Sequence, residues 1–250
     1  MTATGSAGPH VRLTSGSVRG RTEDGLAVFR GMPFARPPVG ELRLAAPMPV
    51  EPWEGVREAV AFGPPPPQSS AMGAPAARDA DGDWLTVNVW SPDLGGARLP
   101  VMVWIQGGGY VYGWSGDPLF DGAVLARDGV VVVTFNYRLS AEGFGQFPGA
   151  PANRGLLDQV AALHWVQDNI AAFGGDPGRV TVFGESAGAG SIAALMAMPS
   201  ATGLFHRAIA QSVPGLYFTE ALATDIAAAI TGHLGLPPSA GELATRRQHE

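Results

Sequence analysis

The segment Gly184-Glu185-Ser186-Ala187-Gly188 places a serine between two glycines with the spacing G-x-S-x-G. On a sharp turn between a strand and a helix, this spacing lifts the serine hydroxyl clear of the sheet, where it can attack a carbonyl carbon. Glycine is needed on both sides because larger side chains would collide with the neighbouring strand or helix. Alone the pattern is a weak signal, since a plain Gly-Ser turn between a strand and a helix matches it too.

The sequence around Ser186 favours the nucleophile over the plain turn. The run Val180-Thr181-Val182-Phe183 predicts a buried strand leading directly into the motif. Small apolar residues from 186 to 198 predict a helix leaving it. In this strand-turn-helix arrangement, the N–H of the residue after the nucleophile, here Ala187, helps to bind the negatively charged oxygen of the tetrahedral intermediate.

A second glycine-rich segment, Gln106-Gly107-Gly108-Gly109-Tyr110, directly follows a strand predicted over residues 101–105. Backbone without side chains can bring its N–H groups close to an oxygen that becomes negative, as an oxyanion hole requires. A flexible turn and a phosphate cradle are the alternatives. The phosphate-binding patterns G-x-x-x-x-G-K-[ST] and G-x-G-x-x-G are absent, and the chain contains no lysine.

The predicted elements indicate an α/β protein. Short antiparallel strands come first, and later strands alternate with helices, which implies right-handed crossovers and a mostly parallel sheet. A Pro/Ala/Gly/Asp-rich stretch at 63–83 predicts a long surface loop. The predicted strands cover residues 11–13, 17–21, 26–29, 87–90, 101–105, 130–136, 179–183 and 207–211, and the helices 155–173, 186–198 and 220–234.

Composition excludes several classes of function. A net charge of −6 over 250 residues gives no electrostatic footprint for nucleic acid or an anionic membrane. The longest strongly apolar run, residues 130–135, is far too short to span a bilayer. There is no cysteine, no recognisable metal-ligand spacing and no visible secretory signal. We therefore expect a cytoplasmic protein without cofactor or metal.

At this point the chain resembles the type-B carboxylesterase family, which includes cholinesterases and bacterial p-nitrobenzyl esterases. The resemblance implies one α/β-hydrolase domain over residues 1–250, with Ser186 as the acylated nucleophile. It further implies that Gly108, Gly109 and Ala187 donate to the oxyanion and that Glu185 has a supporting electrostatic role. The matching blocks are Phe29-Arg30-Gly31-Met32-Pro33-Phe34-Ala35, Asn88-Val89-Trp90, Gly107-Gly108-Gly109, Asn136-Tyr137-Arg138-Leu139, Gly155-Leu156-Leu157-Asp158-Gln159, Phe173-Gly174-Gly175-Asp176-Pro177 and residues 183–189.

The chain departs from the family pattern at three positions. Gln106 stands where many relatives have histidine before the three glycines, and we expect the oxyanion hole to survive this change. Trp84 and Pro66 occupy the positions where the family often has a pair of disulfide-forming cysteines. Arg138 and Asp158 are expected to form a structural ion pair.

The general base and the acid are harder to assign, since the resemblance covers only the N-terminal half of the family pattern. In this architecture the nucleophile precedes the acid, which precedes the histidine. We expect no base among His164, His206, His233 and His249, and no acid among Glu220, Asp225 and Glu242, because these lie in helix, strand-start or tail contexts. The expectation is that both groups lie beyond Glu250.

Two functions follow as hypotheses. The first is a serine carboxylic-ester hydrolase that acts through an acyl-enzyme on small neutral or aromatic esters. The second is a catalytically inactive hydrolase-fold scaffold. Five aromatic residues are candidates either for the substrate pocket or for ordinary core packing: Trp104, Tyr110, Tyr112, Trp114 and Phe144. We also expect an exposed sheet edge through which chains associate.

Overall fold

The computed structural model describes residues 8–68 and 82–246. These residues form two sheets and six α-helices. The strands are β1 (His10–Arg12), β2 (Ser17–Arg19), β3 (Arg21–Glu23), β4 (Leu26–Pro33), β5 (Val56–Glu58), β6 (Thr86–Ser91), β7 (Leu99–Ile105), β8 (Val131–Phe135), β9 (Gly175–Glu185) and β10 (Arg207–Gln211). The helices are α1 (Ala123–Arg127), α2 (Ser140–Phe144), α3 (Arg154–Asn169), α4 (Ala187–Ala197), α5 (Glu220–His233) and α6 (Ala240–Ala244).

The central sheet has seven strands in the order β10-β9-β7-β8-β6-β4-β3. Strands β8, β7, β9 and β10 pair in parallel, whereas β8–β6, β6–β4 and β4–β3 are antiparallel. Five strands therefore run in one direction, with β3 and β6 opposed, as expected for a mostly parallel sheet with antiparallel strands near the N-terminus. Strands β1, β2 and β5 form a separate small sheet.

The two faces of the parallel half differ in burial. Alternate residues of β7 and β9, namely Val103, Ile105 and Val182, are fully buried in the core beneath α3 and α4. Trp104 and Phe183 point to the opposite face, where they are only half-buried. Because side chains alternate along a strand, this pattern assigns α4 and the start of its helix to the well-packed face.

A buried ion pair joins the chain after β8 to helix α3. The guanidinium of Arg138 donates to both carboxylate oxygens of Asp158 at 2.7 and 2.8 Å, and the Arg138 backbone N–H donates at 2.9 Å. Both side chains are almost completely buried. The structural role expected for this pair is confirmed.

The element boundaries follow the sequence prediction with a few differences. The strand predicted over 17–21 divides at Gly20, where the chain passes from the small sheet to the central one. The helix predicted over 155–173 ends at Asn169 and continues as a 3₁₀ turn, Ile170–Phe173. The surface loop predicted over 63–83 is wrong for its first part, because Pro66 and Pro67 are buried; residues 69–81 lie outside the described residues.

No helix in residues 8–68 and 82–246 is long and apolar enough to cross a membrane. In the same two ranges, no group of three or more His, Asp or Glu residues is arranged to hold a metal ion.

Candidate active site

Ser186 lies at the junction of β9 and α4 with φ 54° and ψ −121°. Positive φ is uncommon for a residue with a Cβ and is held here by hydrogen bonds on both sides. The Ser186 N–H donates to the Gln211 carbonyl at 2.9 Å, and the Ser186 carbonyl accepts from the Gly190 N–H at 2.9 Å. Ser186 is half-buried. The turn is therefore the strained strand-to-helix elbow that the sequence predicts.

The two flanking glycines are required by the end of the neighbouring strand β7. A Cβ at position 184 would lie 2.6 Å from the Ile105 carbonyl oxygen, and one at position 188 would overlap that oxygen outright. The start of α4 therefore rests directly on the backbone of β7. This contact explains the G-x-S-x-G spacing in this chain without reference to any relative.

The glycine loop, residues 107–109, follows Ile105 and Gln106 and lies against the elbow. A Cβ at position 107 would be 2.7 Å from the Glu185 carbonyl oxygen and 3.4 Å from the Ser186 Cβ. Gly108 and Gly109 have φ values of 99° and 59°, in the left-handed region that favours glycine. The loop thus brings backbone, with no intervening side chain, to the nucleophile.

Three backbone N–H groups near Ser186 have no acceptor. Those of Gly108, Gly109 and Ala187 donate no hydrogen bond to any residue in the part of the chain that the structure describes. Ala187 is 1% exposed and is the first residue of α4, where the helix dipole favours negative charge. Unpaired donors beside a candidate nucleophile are the arrangement that stabilises an oxyanion.

Glu185 precedes the nucleophile and is exposed. One of its carboxylate oxygens, Oε2, lies 3.2 Å from the position of a Cβ built on Gly107, so the carboxylate faces the glycine loop. Its supporting role stays a prediction.

The histidines of the described residues do not reach Ser186. His164 is exposed on α3, His233 is exposed at the end of α5, and His206 precedes β10 with its N–H donating to the Val180 carbonyl at 2.8 Å. Ser186 follows the opposite end of the paired strand β9, so five residues of strand, roughly 16 Å, separate the two. His249 lies outside the described residues.

The three acids considered from the sequence are equally remote from a triad role. Glu220 and Asp225 are exposed on α5, and Glu242 is exposed on α6. None lies at the end of a strand, as expected.

The aromatic candidates do not form one pocket. Trp104 packs against Phe120 and Phe183, with ring centroids 5.4 and 5.0 Å away, on the sheet face opposite α4. These three rings line a separate pocket of about 130 Å³. The assignment of Trp104 to the mouth of the site is therefore wrong, because its position in β7 directs it to the other face.

The remaining aromatic residues follow the glycine loop. Trp114 packs on Phe62 and donates its indole N–H to the Gly63 carbonyl at 2.8 Å. Tyr110 packs on Phe144 with centroids 4.7 Å apart. Of the group, Tyr110 is the one whose side chain reaches α4, since its hydroxyl lies beside Gly190.

Comparison with known proteins identifies the family. A profile of the carboxylesterase family matches residues 7–240. The chain belongs to the carboxylesterase family. It is 49% identical to the para-nitrobenzyl esterase of Bacillus subtilis (strain 168), a match that covers 88% of this chain and 47% of that protein. It is also 49% identical to the phenmedipham hydrolase of Pseudarthrobacter oxydans, over 82% of this chain and 43% of that protein.

The fold of this carboxylesterase-family chain agrees with that assignment. A solved thermophilic p-nitrobenzyl esterase superposes with a TM-score of 0.87 at 45% identity, covering 94% of this chain and 50% of the other. The fold is therefore the α/β-hydrolase fold. The chain spans about half the length of the curated relatives that it matches.

Two residues that sequence reasoning did not single out hold the ends of the glycine loop. The Tyr137 hydroxyl donates to the Gln106 carbonyl at 2.7 Å, and burial raises the pKa of Tyr137 well above its ordinary value. Gln68 pairs with the backbone of Gly113, accepting from its N–H at 2.8 Å and donating to its carbonyl at 3.0 Å. Both residues lie in sequence blocks that resemble the family, which is the signal that points to them.

The departures from the family pattern are buried. Gln106 is 1% exposed, and neither atom of its side-chain amide has a hydrogen-bond partner among the described residues. Trp84 and Pro66 are buried where many relatives have cysteine. Apolar packing fills both positions.

Proposed function

We propose that this chain supplies the nucleophile and the oxyanion hole of a serine carboxylic-ester hydrolase. The observation that supports the proposal most directly is the set of three unpaired N–H groups, from Gly108, Gly109 and Ala187, beside the strained Ser186. The G-x-S-x-G elbow and the membership of the carboxylesterase family support the same reaction class.

In the proposed reaction, the Ser186 Oγ attacks the ester carbonyl carbon while its proton passes to a general base. The carbonyl oxygen becomes an oxyanion and accepts hydrogen bonds from the three N–H groups. The intermediate collapses when the C–O bond to the alcohol breaks and the base returns the proton to that alcohol. Water then attacks the acyl-enzyme in the same way, releasing the carboxylic acid and free Ser186.

We assign the base and its acid partner to sequence outside the described residues, because no described histidine approaches Ser186. Small neutral or aromatic esters are the proposed substrates. Neither the glycine loop nor the elbow is flanked in sequence by a cluster of like charges that would select a charged ester. Glu185, facing the glycine loop, is assigned the supporting electrostatic role.

A fluorophosphonate probe tests this function in the 250-residue chain. The Ser186 Oγ should attack phosphorus and displace fluoride, and its proton should leave as HF. We expect slow labelling at Ser186 even without a base, because an oxyanion hole alone retains roughly 10³- to 10⁴-fold acceleration over water. The labelled peptide is identified and quantified by mass spectrometry.

Ser212 provides a matched control for that labelling, since it is an exposed serine that also has positive φ, at 57°. Ser186→Ala should abolish labelling, and Ser212→Ala should leave it unchanged. Folded protein that is not labelled at Ser186 would contradict the esterase proposal and favour the inactive scaffold, the second candidate function. The remoteness of every described histidine is the observation on that side.

We also propose that chains associate through the edge of the central sheet at β10. All five residues of β10 are exposed, and the strand has no second neighbour among the described residues. Apolar side chains continue beyond it, each at least 46% exposed: Ile209, Val213, Leu216, Tyr217 and Phe218. An unpaired edge beside an apolar patch is a template for pairing with a second copy of the chain.

Sedimentation velocity tests the association. At about 10 µM we expect dimers or larger species, and Ile209→Lys should shift the distribution toward monomer, because a charge on an edge strand opposes pairing. Val124→Lys on α1 is the control, since Val124 is 65% exposed but belongs to another part of the surface. A monomer with a sharp two-state melt, or equal effects of the two lysines, would contradict this proposal.

Three coarser assignments complete the proposal. Residues 1–250 belong to one domain, the protein is cytoplasmic, and it has no nucleic-acid partner. The net charge of −6 supports the last of these, and the absence of cysteine is compatible with a reducing compartment.

A further inference from the structure

Tyr110, the residue directly after the glycine loop, has an unusual backbone conformation. Its φ is 63°, which places a bulky residue in the left-handed region. Such a conformation costs free energy in any residue with a Cβ and persists only where surrounding contacts enforce it. The Tyr110 carbonyl accepts from the Ser140 N–H at 2.7 Å, and the ring packs on Phe144. The strain occurs next to the proposed oxyanion donors.

The phenol of Tyr110 ends against helix α4. A Cβ built at position 190 would lie 2.6 Å from the Tyr110 hydroxyl oxygen, so glycine at 190 makes room for it. The adjacent Ser191 hydroxyl interacts with the Tyr110 hydroxyl. Ser191 also accepts a hydrogen bond from the side-chain amide of Gln159 on α3 at 3.0 Å. Because Gln159 donates to Ser191, the Ser191 hydroxyl proton is available for the Tyr110 oxygen.

This chain of polar groups links the two parts of the proposed oxyanion hole. Gly108 and Gly109 lie on the loop that Tyr110 ends, whereas Ala187 lies on α4, one turn before Ser191. Ser191 and Gln159 are completely buried, so their positions are fixed by the core. Donors in an oxyanion hole must be held within a fraction of an ångström of the reacting oxygen.

We infer that Tyr110 is a positioning residue, whose hydroxyl, held by Ser191 and Gln159, fixes the Gly108–Gly109 backbone relative to Ala187. This inference rests on the proposed function of those three N–H groups. Ordinary packing of the ring on Phe144 is the competing explanation. The two differ in the importance of the hydroxyl, since phenylalanine would keep the ring contact and lose the link to α4.

Hydrogen exchange of the Val111 and Ser140 amides reports on the loop, because these N–H groups donate to the Gly108 and Tyr110 carbonyls at 3.0 and 2.7 Å. In the 250-residue chain, Tyr110→Phe should raise both exchange rates about tenfold, the loss expected when one hydrogen bond of ordinary strength is removed. Ser191→Ala should have the same effect, and the double variant should add little to either single change. Nuclear magnetic resonance measures the rates residue by residue.

Tyr112→Phe is the matched control. It removes a hydroxyl from the same loop, and that hydroxyl makes no hydrogen bond within the described residues. Exchange in Tyr112→Phe should match that of the unchanged chain. Equal exchange rates in Tyr110→Phe and the unchanged chain, or an equal increase in Tyr112→Phe, would overturn the inference.

Labelling by the fluorophosphonate supplies a readout that a purely structural role would not move. In Tyr110→Phe, the maximal labelling rate at Ser186 should fall about tenfold, with little change in the probe concentration that gives half of that rate. If the unchanged chain is not labelled, the proposed function fails. The exchange experiment still decides whether Tyr110 positions the loop, so the two failures are distinguishable.

Discussion

A chimera of this chain and a relative will hydrolyse p-nitrophenyl acetate at least about 10⁴-fold faster than the 250-residue chain alone. The chimera joins residues 1–240 to the C-terminal part of the Bacillus subtilis para-nitrobenzyl esterase, which this chain does not match. The identity of 49% supports a compatible junction. The gain follows because a histidine base and its acid are then present beside Ser186. Release of p-nitrophenolate measures the rate.

The chimera also separates the contributions of the two parts. Ser186→Ala in the chimera should return the rate to that of the isolated chain, because the nucleophile comes from residues 1–240. A folded chimera that turns over no faster than the chain would remove Ser186 and the three N–H groups from the proposed reaction. Activity that survives Ser186→Ala would assign the chemistry to the other half of the chimera.

The elbow could be predicted from the sequence because its requirements are local. A strand, a sharp turn and a helix occur within about twenty residues, and glycine at 184 and 188 marks where backbone approaches backbone. The glycine loop is similarly local, since it directly follows β7. Such features depend on neighbouring residues in the chain, which is where sequence patterns are most informative.

Contacts between distant residues were beyond that reasoning. Alternation along β7 separates Trp104 from Val103 and Ile105, but no local pattern says which face carries α4. Gln68 reaches Gly113 across 45 residues, and Gln159 reaches Ser191 across 32. Tertiary packing brings these groups together. The sequence therefore placed the nucleophile and its donors but not the residues that hold the loop.

Replacement of Gly188 by alanine should unfold or displace the elbow. The new Cβ would overlap the Ile105 carbonyl, which belongs to a fully buried strand and cannot move without disturbing the sheet. Overpacking of this kind costs roughly 1–3 kcal/mol, and more when backbone must shift, so we expect a loss of about 3 kcal/mol in the free energy of unfolding. Urea denaturation followed by circular dichroism measures it.

Gly232→Ala gives the matched control and the opposite sign. Gly232 lies inside α5 with open space around its Cα, so alanine should stabilise by about 0.5–1 kcal/mol through helix propensity. Equal stabilities of Gly188→Ala and the unchanged chain would show that α4 can move away from β7. Labelling of Ser186 should fall at least about 100-fold in folded Gly188→Ala, because the displaced helix takes the Ala187 N–H with it. The glycine at 188 is thus what allows nucleophile and donor to meet the glycine loop at one point.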